Sequence, residues 1–252
     1  MGETVSTMKL GIQLYTVRDL TGDGTFKDTL RELADLGFEG VEFAWRYGGM
    51  EPDELAAFLK SVGMVCCGMH VQLGELLDAG HSVYEYALAM DAPYITTSLA
   101  SRVSEWDALI PQVEEAGRVA ATRDRQFTYH NHYQEFVWTG GKYELDRLFD
   151  NTSPEFVKCE LDIGWVKKGG GDPMAYIAKY AGRLPQIHFR DYDEQTDSVC
   201  DVGDGFIDAS AVKAAGEDAG AEWLIYEQDV YPVSPLASCG VCAERCREAG
   251  IL

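Results

Sequence analysis

Basic residues are scarce in this 252-residue chain. Lys and Arg number 21 against 42 Asp and Glu, a net charge of −21 at pH 7. Displacing counterions from phosphate needs a basic footprint, so no nucleic-acid partner is expected. Long apolar runs are missing too. None approaches the ~20 residues that cross a bilayer, so no membrane partner is expected. The start, MGETVSTMKL, has no basic stretch followed by an apolar one, so no secretory leader is read there and a cytoplasmic location is expected. The glycines of DLTGDGTF do not form the Gly-x-Gly-x-x-Gly of a dinucleotide loop. No Pro- or Gly-rich linker and no low-complexity tract divides the chain, so residues 1–252 read as one domain.

What is present is ordinary globular usage, with 46 % hydrophobic and 25 % charged residues. That excludes a disordered chain, a collagen-like fibre and a small disulfide scaffold. The acidic residues are spread along the chain rather than gathered in a tail, so they are expected to coat the surface. A cytoplasm of high ionic strength would screen their repulsion. A merely acidic soluble protein is the plainer reading.

Seven cysteines invite a disulfide or zinc reading. Cys239, Cys242 and Cys246 make C-x2-C-x3-C. Offsets of three and four residues put all three on one face of a helix that Ser234 and Pro235 would begin. No His or Asp pair completes a tetrahedral set, so small buried hydrophobes are the favoured reading. Without a leader, the thiols are expected to be reduced.

The dominant pattern is alternation. Short apolar runs, KLGIQLY, GVEF, VCCGMH, YITT, FTYHNH, KCELDIGW, QIHF and WLIYE, are each followed by an amphipathic helical stretch. Eight such units at about 30 residues each predict an α/β fold, a single-domain (β/α)8 TIM barrel. A doubly wound open sheet shares the alternation and is the second choice.

A barrel of this kind carries its site on the C-terminal ends of its strands. Four of the five histidines fall there: His70, His130, His132 and His188. Carboxylates join them, with Glu42 in GVEF, Glu160 and Asp162 in KCELDIGW, and Glu227 closing WLIYE. Strand side chains alternate faces, so Glu160 and Asp162 share one side while Leu161 takes the other. The same parity turns His188 and Glu42 inward. Unpaired buried charge is expensive, so acids facing a barrel axis need a cation. Two His and two carboxylates on strands five to eight make an N/O site for one divalent ion, Mn²⁺ first, with Co²⁺, Zn²⁺ or Mg²⁺ as alternatives. The competing reading is an internal salt-bridge network, for which only Arg190 is near in sequence.

The ordered segments LGIQLYTVRD, TYHNHYQEF, ELDIGWVKKGGGDP, LPQIHFRDYD, VGDGFIDAS and EWLIYEQD resemble the sugar phosphate isomerase/epimerase-like family, within the xylose isomerase-like TIM barrel superfamily. The resemblance covers nearly the whole chain. It implies one divalent ion held by an acid on strand five, an Asp on strand six, a His on strand seven and a Glu on strand eight. Asp162, His188 and Glu227 match. The strand-five position departs, because TYHNH places His130 there as the expected ligand. That change weakens the two-glutamate scheme for 1,2-proton transfer. Trp165 likewise stands where epimerases of that kind often have a His. The endonuclease branch of the superfamily carries a basic DNA-facing surface that this acidic chain lacks.

The resemblance implies a metal-dependent sugar isomerase or epimerase working through an enediolate. A lyase or hydratase on keto-sugars or keto-glycosides is the alternative, and a non-catalytic sugar-binding barrel the third reading. Glu227 is the first candidate for the base that takes the proton, followed by His132 and Glu135. His70 and Arg190 are expected to meet sugar hydroxyls or a carbonyl oxygen, with Glu42 beside them, and Trp45 and Trp165 to offer flat faces to the ring. The partner is then a small-molecule sugar. Relatives of this kind often form dimers or tetramers, but no interface signal marks a homo-oligomer here.

Overall fold

The computed structural model describes residues 8–22 and 24–252, so most of the stretch read for a leader, residues 1–7, lies outside the described residues. Eight strands form a closed parallel barrel. They are β1 (Lys9–Gln13), β2 (Gly40–Ala44), β3 (Val65–His70), β4 (Tyr94–Thr97), β5 (Gln126–His130), β6 (Val157–Asp162), β7 (Gln186–Phe189) and β8 (Trp223–Tyr226). Each pairs with the next, and β8 returns to β1. This is the (β/α)8 barrel that the alternation predicts.

Local chemistry sets the helices around it. Phe26–Leu36 buries Phe26, Leu30 and Leu33 on one stripe and stops at Gly37, whose φ of 105° lies in the left-handed region that glycine adopts freely. Pro235–Glu248 starts with the Ser234 side chain accepting from the Ala237 N–H. Its buried face carries Cys239, Cys242 and Cys246 among the core side chains. Among the described residues no helix is long and apolar enough to cross a membrane.

Three local features differ from the sequence reading. The KCELDIGW run does not continue as strand: β6 ends at Asp162 and a short helix, Ile163–Lys168, follows at once. The Asp162 side chain caps it by accepting from the Trp165 N–H at 2.9 Å. The FTYHNH strand stops at His130, so His132 rides on the loop beyond. Two hairpins were not anticipated, Trp138–Thr139 with Lys142–Tyr143 and Asp191–Asp193 with Ser198–Cys200.

The barrel interior is layered. Its floor is apolar, with Cys67, Tyr94, Trp223 and Ile225 forming a small cluster separate from the main core. Glycine at position 40 makes room for the Trp223 ring, since a Cβ there would lie 2.5 Å from it. Above this plug the inward residues turn polar: Gln13, Glu42, Thr96, Thr128, Glu160, Gln186 and His188 are all buried. Parallel register brings them to matching levels, with Gln13 beside Glu42, His130 beside Glu160 and Asp162 beside His188. A greasy floor under a charged ceiling directs the interior chemistry to one end.

Candidate active site

The charged layer is wired through histidine. His188 is fully buried and donates from both ring nitrogens, Nδ1 to Glu227 Oε2 at 2.8 Å and Nε2 to Glu42 Oε2 at 2.7 Å. Glu160 Oε1 is approached by three imidazoles: His70 Nε2 at 2.7 Å, His188 Nε2 at 3.0 Å and His130 Nδ1 at 3.0 Å. Thr96 Oγ1 donates to its other oxygen at 3.0 Å. Gln13 Nε2 donates to Glu42 at 2.7 Å. An isolated ion here would cost several kcal/mol, so the pairing is a condition of folding.

Arg190 organises the other side. Nε donates to Asp162 Oδ2 at 2.7 Å, Nη2 to Glu227 Oε2 at 2.7 Å and Nη1 to Asp229 Oδ2 at 2.9 Å. Its guanidinium stacks 4.5 Å from the Trp165 ring. Glycine at 164 permits this approach, because a Cβ there would lie 2.6 Å from the Arg190 carbonyl oxygen. The internal ion network weighed against a metal is therefore present, built from histidines as much as from arginine.

These surroundings separate the titrating groups. Burial disfavours a charge on His70, but Glu42 and Glu160 outweigh it and raise its pKa to about 10. Burial likewise opposes charge on His188, and the same two acids hold it well above the ordinary value. Burial lowers His132 to about 4. It raises Asp162 to about 6 against the pull of Arg190, and Glu135 to about 7. Glu227 is held well below the usual range, because Arg190 and His188 overcome the cost of burial.

A cavity of about 470 Å³ opens above this layer. His70, His130, His132, Trp165, Arg190 and Glu227 line it. Glu42 does not reach it. That carboxylate is sealed beneath His70 and His188, which corrects its expected place against substrate; it holds imidazoles instead. Glu135 is also fully buried away from the cavity, accepting from the Tyr129 hydroxyl at 2.8 Å and the His132 N–H at 3.1 Å. It shapes the loop that carries His132 and cannot touch a sugar as a base. Arg190 lines the cavity with three N–H groups already committed to carboxylates.

The cavity also holds residues the sequence reading passed over. Asp229 stands two positions beyond Glu227, in the loop that follows β8. Ser98 Oγ lies 2.9 Å from His132 Nδ1. Trp45, which the sequence reading did pair with Trp165 as a flat face for the ring, is half exposed at the rim with a left-handed φ of 59° and packs edge-on against Tyr15. Nothing local in the sequence marks Ser98, whose role depends on contact between neighbouring loops.

Ligand atoms of His130, Asp162, His188 and Glu227 all lie within 4.8 Å of one another, and a second group, His70, His130, Glu160 and His188, overlaps it. Two observations fit a divalent cation. The buried His130 Nδ1 lies 3.0 Å from Glu160 Oε1 but out of line for a hydrogen bond, and no other described residue is aligned with it. Five carboxylates (Glu42, Glu160, Asp162, Glu227 and Asp229) meet Arg190 and two imidazoles that can be charged, His70 and His188. To serve as a ligand His188 must give up one of its two N–H protons; with Arg190 and His70 charged, the site then keeps net negative charge that a divalent ion would offset.

Residues 30–237 match the family model described as the xylose isomerase-like TIM barrel, and the chain belongs to that family. An inosose dehydratase of Lacticaseibacillus casei is 28 % identical over 81 % of this chain and 74 % of its own. A sugar phosphate isomerase/epimerase of Parabacteroides distasonis superposes with a TM-score of 0.80 at 16 % identity, covering 99 % of this chain and 97 % of its own. L-ribulose 3-epimerase superposes with a TM-score of 0.71 at 13 % identity, covering 96 % and 94 %. At those identities the two structures speak for the fold alone.

Proposed function

We propose that this member of the xylose isomerase-like TIM barrel family is a divalent-metal-dependent lyase that removes water from a cyclic polyhydroxy ketone. The observation that carries the reading is the asymmetry of the cavity wall. His70, His130 and His132 come from β3 and β5, beside β4. Glu227 and Asp229 follow β8, on the opposite side of the barrel. A two-base isomerase needs a carboxylate on each side of the reacting carbon. Here imidazoles take one side, with His130 at the strand-five position. The similarity to an inosose dehydratase supports the same direction.

His130, Asp162, His188 and Glu227 would hold the ion. When bound it would supply Lewis-acid polarisation of a ketone oxygen. The remaining work belongs to the chain. Ser98 fixes His132 through Nδ1, which leaves Nε2 as the free nitrogen to take the C–H proton next to the ketone. The electrons of that bond form a C=C bond as the neighbouring C–O bond breaks. The departing hydroxyl takes a proton from His70, on the same wall, and leaves as water. The two imidazoles then exchange protons with solvent, and the net change is loss of one water. Trp165 closes the wall next to His132, its ring stacked 5.9 Å from the imidazole. Glu135 and Ser98 are positioning residues, and Glu160 and Glu42 orient the imidazoles beneath.

Mass spectrometry of a panel of cyclic polyhydroxy ketones, incubated with the protein in Mn²⁺ or chelator, tests the reading. The expected result is a Mn²⁺-dependent product lighter by one water. A product of unchanged mass would make the protein an isomerase or epimerase. Sugar binding with no turnover of any panel member would make it a binding barrel. Either overturns the proposal.

A further inference from the structure

Among the described residues, eight buried side-chain polar atoms have no hydrogen-bond partner. Four of them belong to the 18 residues that line the catalytic cavity: His130 Nδ1, Gln134 Oε1, Trp165 Nε1 and Asp229 Oδ1. Half of the orphaned atoms therefore fall on a small part of a 252-residue chain. Buried polar groups left unpaired are uncommon and mark places where a further group is expected. His130 is already read as a metal ligand. The other three are one N–H donor, on Trp165, and two oxygen acceptors, on Gln134 and Asp229.

The cations of the wall are matched before any ligand arrives. Arg190 donates to Asp162, Glu227 and Asp229, and His70 donates to Glu160. Asp229 gives Oδ2 to Arg190 at 2.9 Å, which leaves Oδ1 as a charged acceptor. Among the described residues no lysine lines the cavity. Lys167 and Lys168, on the short helix that carries Trp165, are turned to Glu194 at 2.9 Å and Asp197 at 3.4 Å.

A hydroxyl suits this wall because it both donates and accepts. Its proton can go to Asp229 or Gln134, and its lone pairs can take the Trp165 N–H. A phosphate ester is anionic and offers only acceptor oxygens. It would leave the Gln134 and Asp229 oxygens unmatched and meet two acids, Glu227 and Asp229, with no free side-chain cation to offset the repulsion.

We infer that Asp229 is the specificity-determining residue of this cavity: its free Oδ1 accepts from a substrate hydroxyl, and its charge selects unphosphorylated polyols over phosphorylated sugars. The inference rests on the proposed function and adds to it the residue that selects the substrate and the class it rejects. Gln134 and Trp165 complete the recognition of hydroxyls but are neutral, so discrimination by charge falls to Asp229.

Titration calorimetry of the full chain in Mn²⁺ provides the test. The probes are myo-inositol and its 1-, 2- and 4-monophosphates. Inositol carries ring hydroxyls but no ketone, so it binds without reacting. Each monophosphate is expected to bind about tenfold or more weakly than inositol. In Asp229→Asn inositol loses a hydrogen bond to a charged group and the wall loses one negative charge. The preference for inositol over the best monophosphate should then fall by about tenfold or more. The ratio of two affinities measured on one preparation does not depend on the fraction of active protein, and a merely structural Asp229 would lower both alike. A monophosphate that binds wild-type protein within about tenfold of inositol refutes the inference and leaves the enzymatic reading standing. A preference that persists in Asp229→Asn, or equal loss of both ligands there, refutes it as well. If neither inositol nor any monophosphate binds the wild-type protein, both the inference and the sugar-directed reading fall.

Discussion

Replacing His70 by glutamine removes one charge from the interior and leaves a hydrogen-bond donor in its place. His70 Nε2 donates to Glu160 Oε1 at 2.7 Å and lies 3.3 Å from Glu42 Oε2. Those carboxylates, working against burial, lift its pKa from 6.5 to about 10. At roughly 1.4 kcal/mol per pH unit, that rise corresponds to about 5 kcal/mol of native-state stabilisation. Loss of one partner from a buried ion pair costs about 3–5 kcal/mol, so the two routes agree. The native protein keeps a proton that the unfolded chain releases near pH 6.5. The stabilisation is therefore complete below pH 6.5 and disappears as the pH rises through about 10. Urea unfolding of metal-free protein, in chelator, is the assay. His70→Gln should be less stable by about 3–5 kcal/mol at pH 6.5, or about 6–20 °C in Tm for a chain of this size. The deficit should narrow by about 1.4 kcal/mol per pH unit and nearly vanish at pH 10. A deficit constant across that range would mean that shape, not charge, is what His70 contributes, and the network argument would fail.

Three other outcomes are expected. Asp162→Ala and His188→Ala should each abolish stoichiometric retention of a divalent ion, read by elemental analysis after gel filtration; full occupancy in both would refute the ligand assignment. The Asp191 carboxylate accepts from the backbone N–H groups of Tyr192, Gly203, Gly205, Phe206 and Ile207. Asp191→Asn turns an NH2 group toward some of those donors and should cost about 3 kcal/mol, with lost hydrogen-exchange protection at residues 203–207. Unchanged protection there would show that the loop holds itself. Finally, if the charge of −21 is a salt adaptation, the melting temperature should climb from dilute buffer to molar KCl as repulsion is screened. A flat curve would leave only an acidic soluble protein.

Much of the architecture was legible because it rests on local periodicity. Alternating apolar runs and helical stripes marked all eight strand–helix units, and the two-residue period of a strand turned Glu160, Asp162 and His188 inward correctly. The same rule misled at Glu42, and nothing in the pattern placed Glu135. Parity says which side a residue faces but not how deep it lies. Glu42 is inward and one layer too low to meet a ligand, beneath His188. Glu135 turns away from the cavity to the Tyr129 hydroxyl. The short helix after Asp162 was hidden because DIGW reads equally well as a strand end, and the deciding contact is the Asp162 cap on the Trp165 N–H.

Sequence alone determined the kind of fold and the kind of donors. Both follow from residue types at fixed spacing, which neighbouring backbone geometry converts directly into faces and ends. Tertiary structure decided the pairings. Glu42 and His188 stand 146 positions apart and meet at 2.7 Å only because closure of β8 onto β1 brings both ends of the chain together. Closure also commits Arg190 to three acids and aims three imidazoles at one oxygen of Glu160. These are distances through space between distant segments, and no local pattern encodes them.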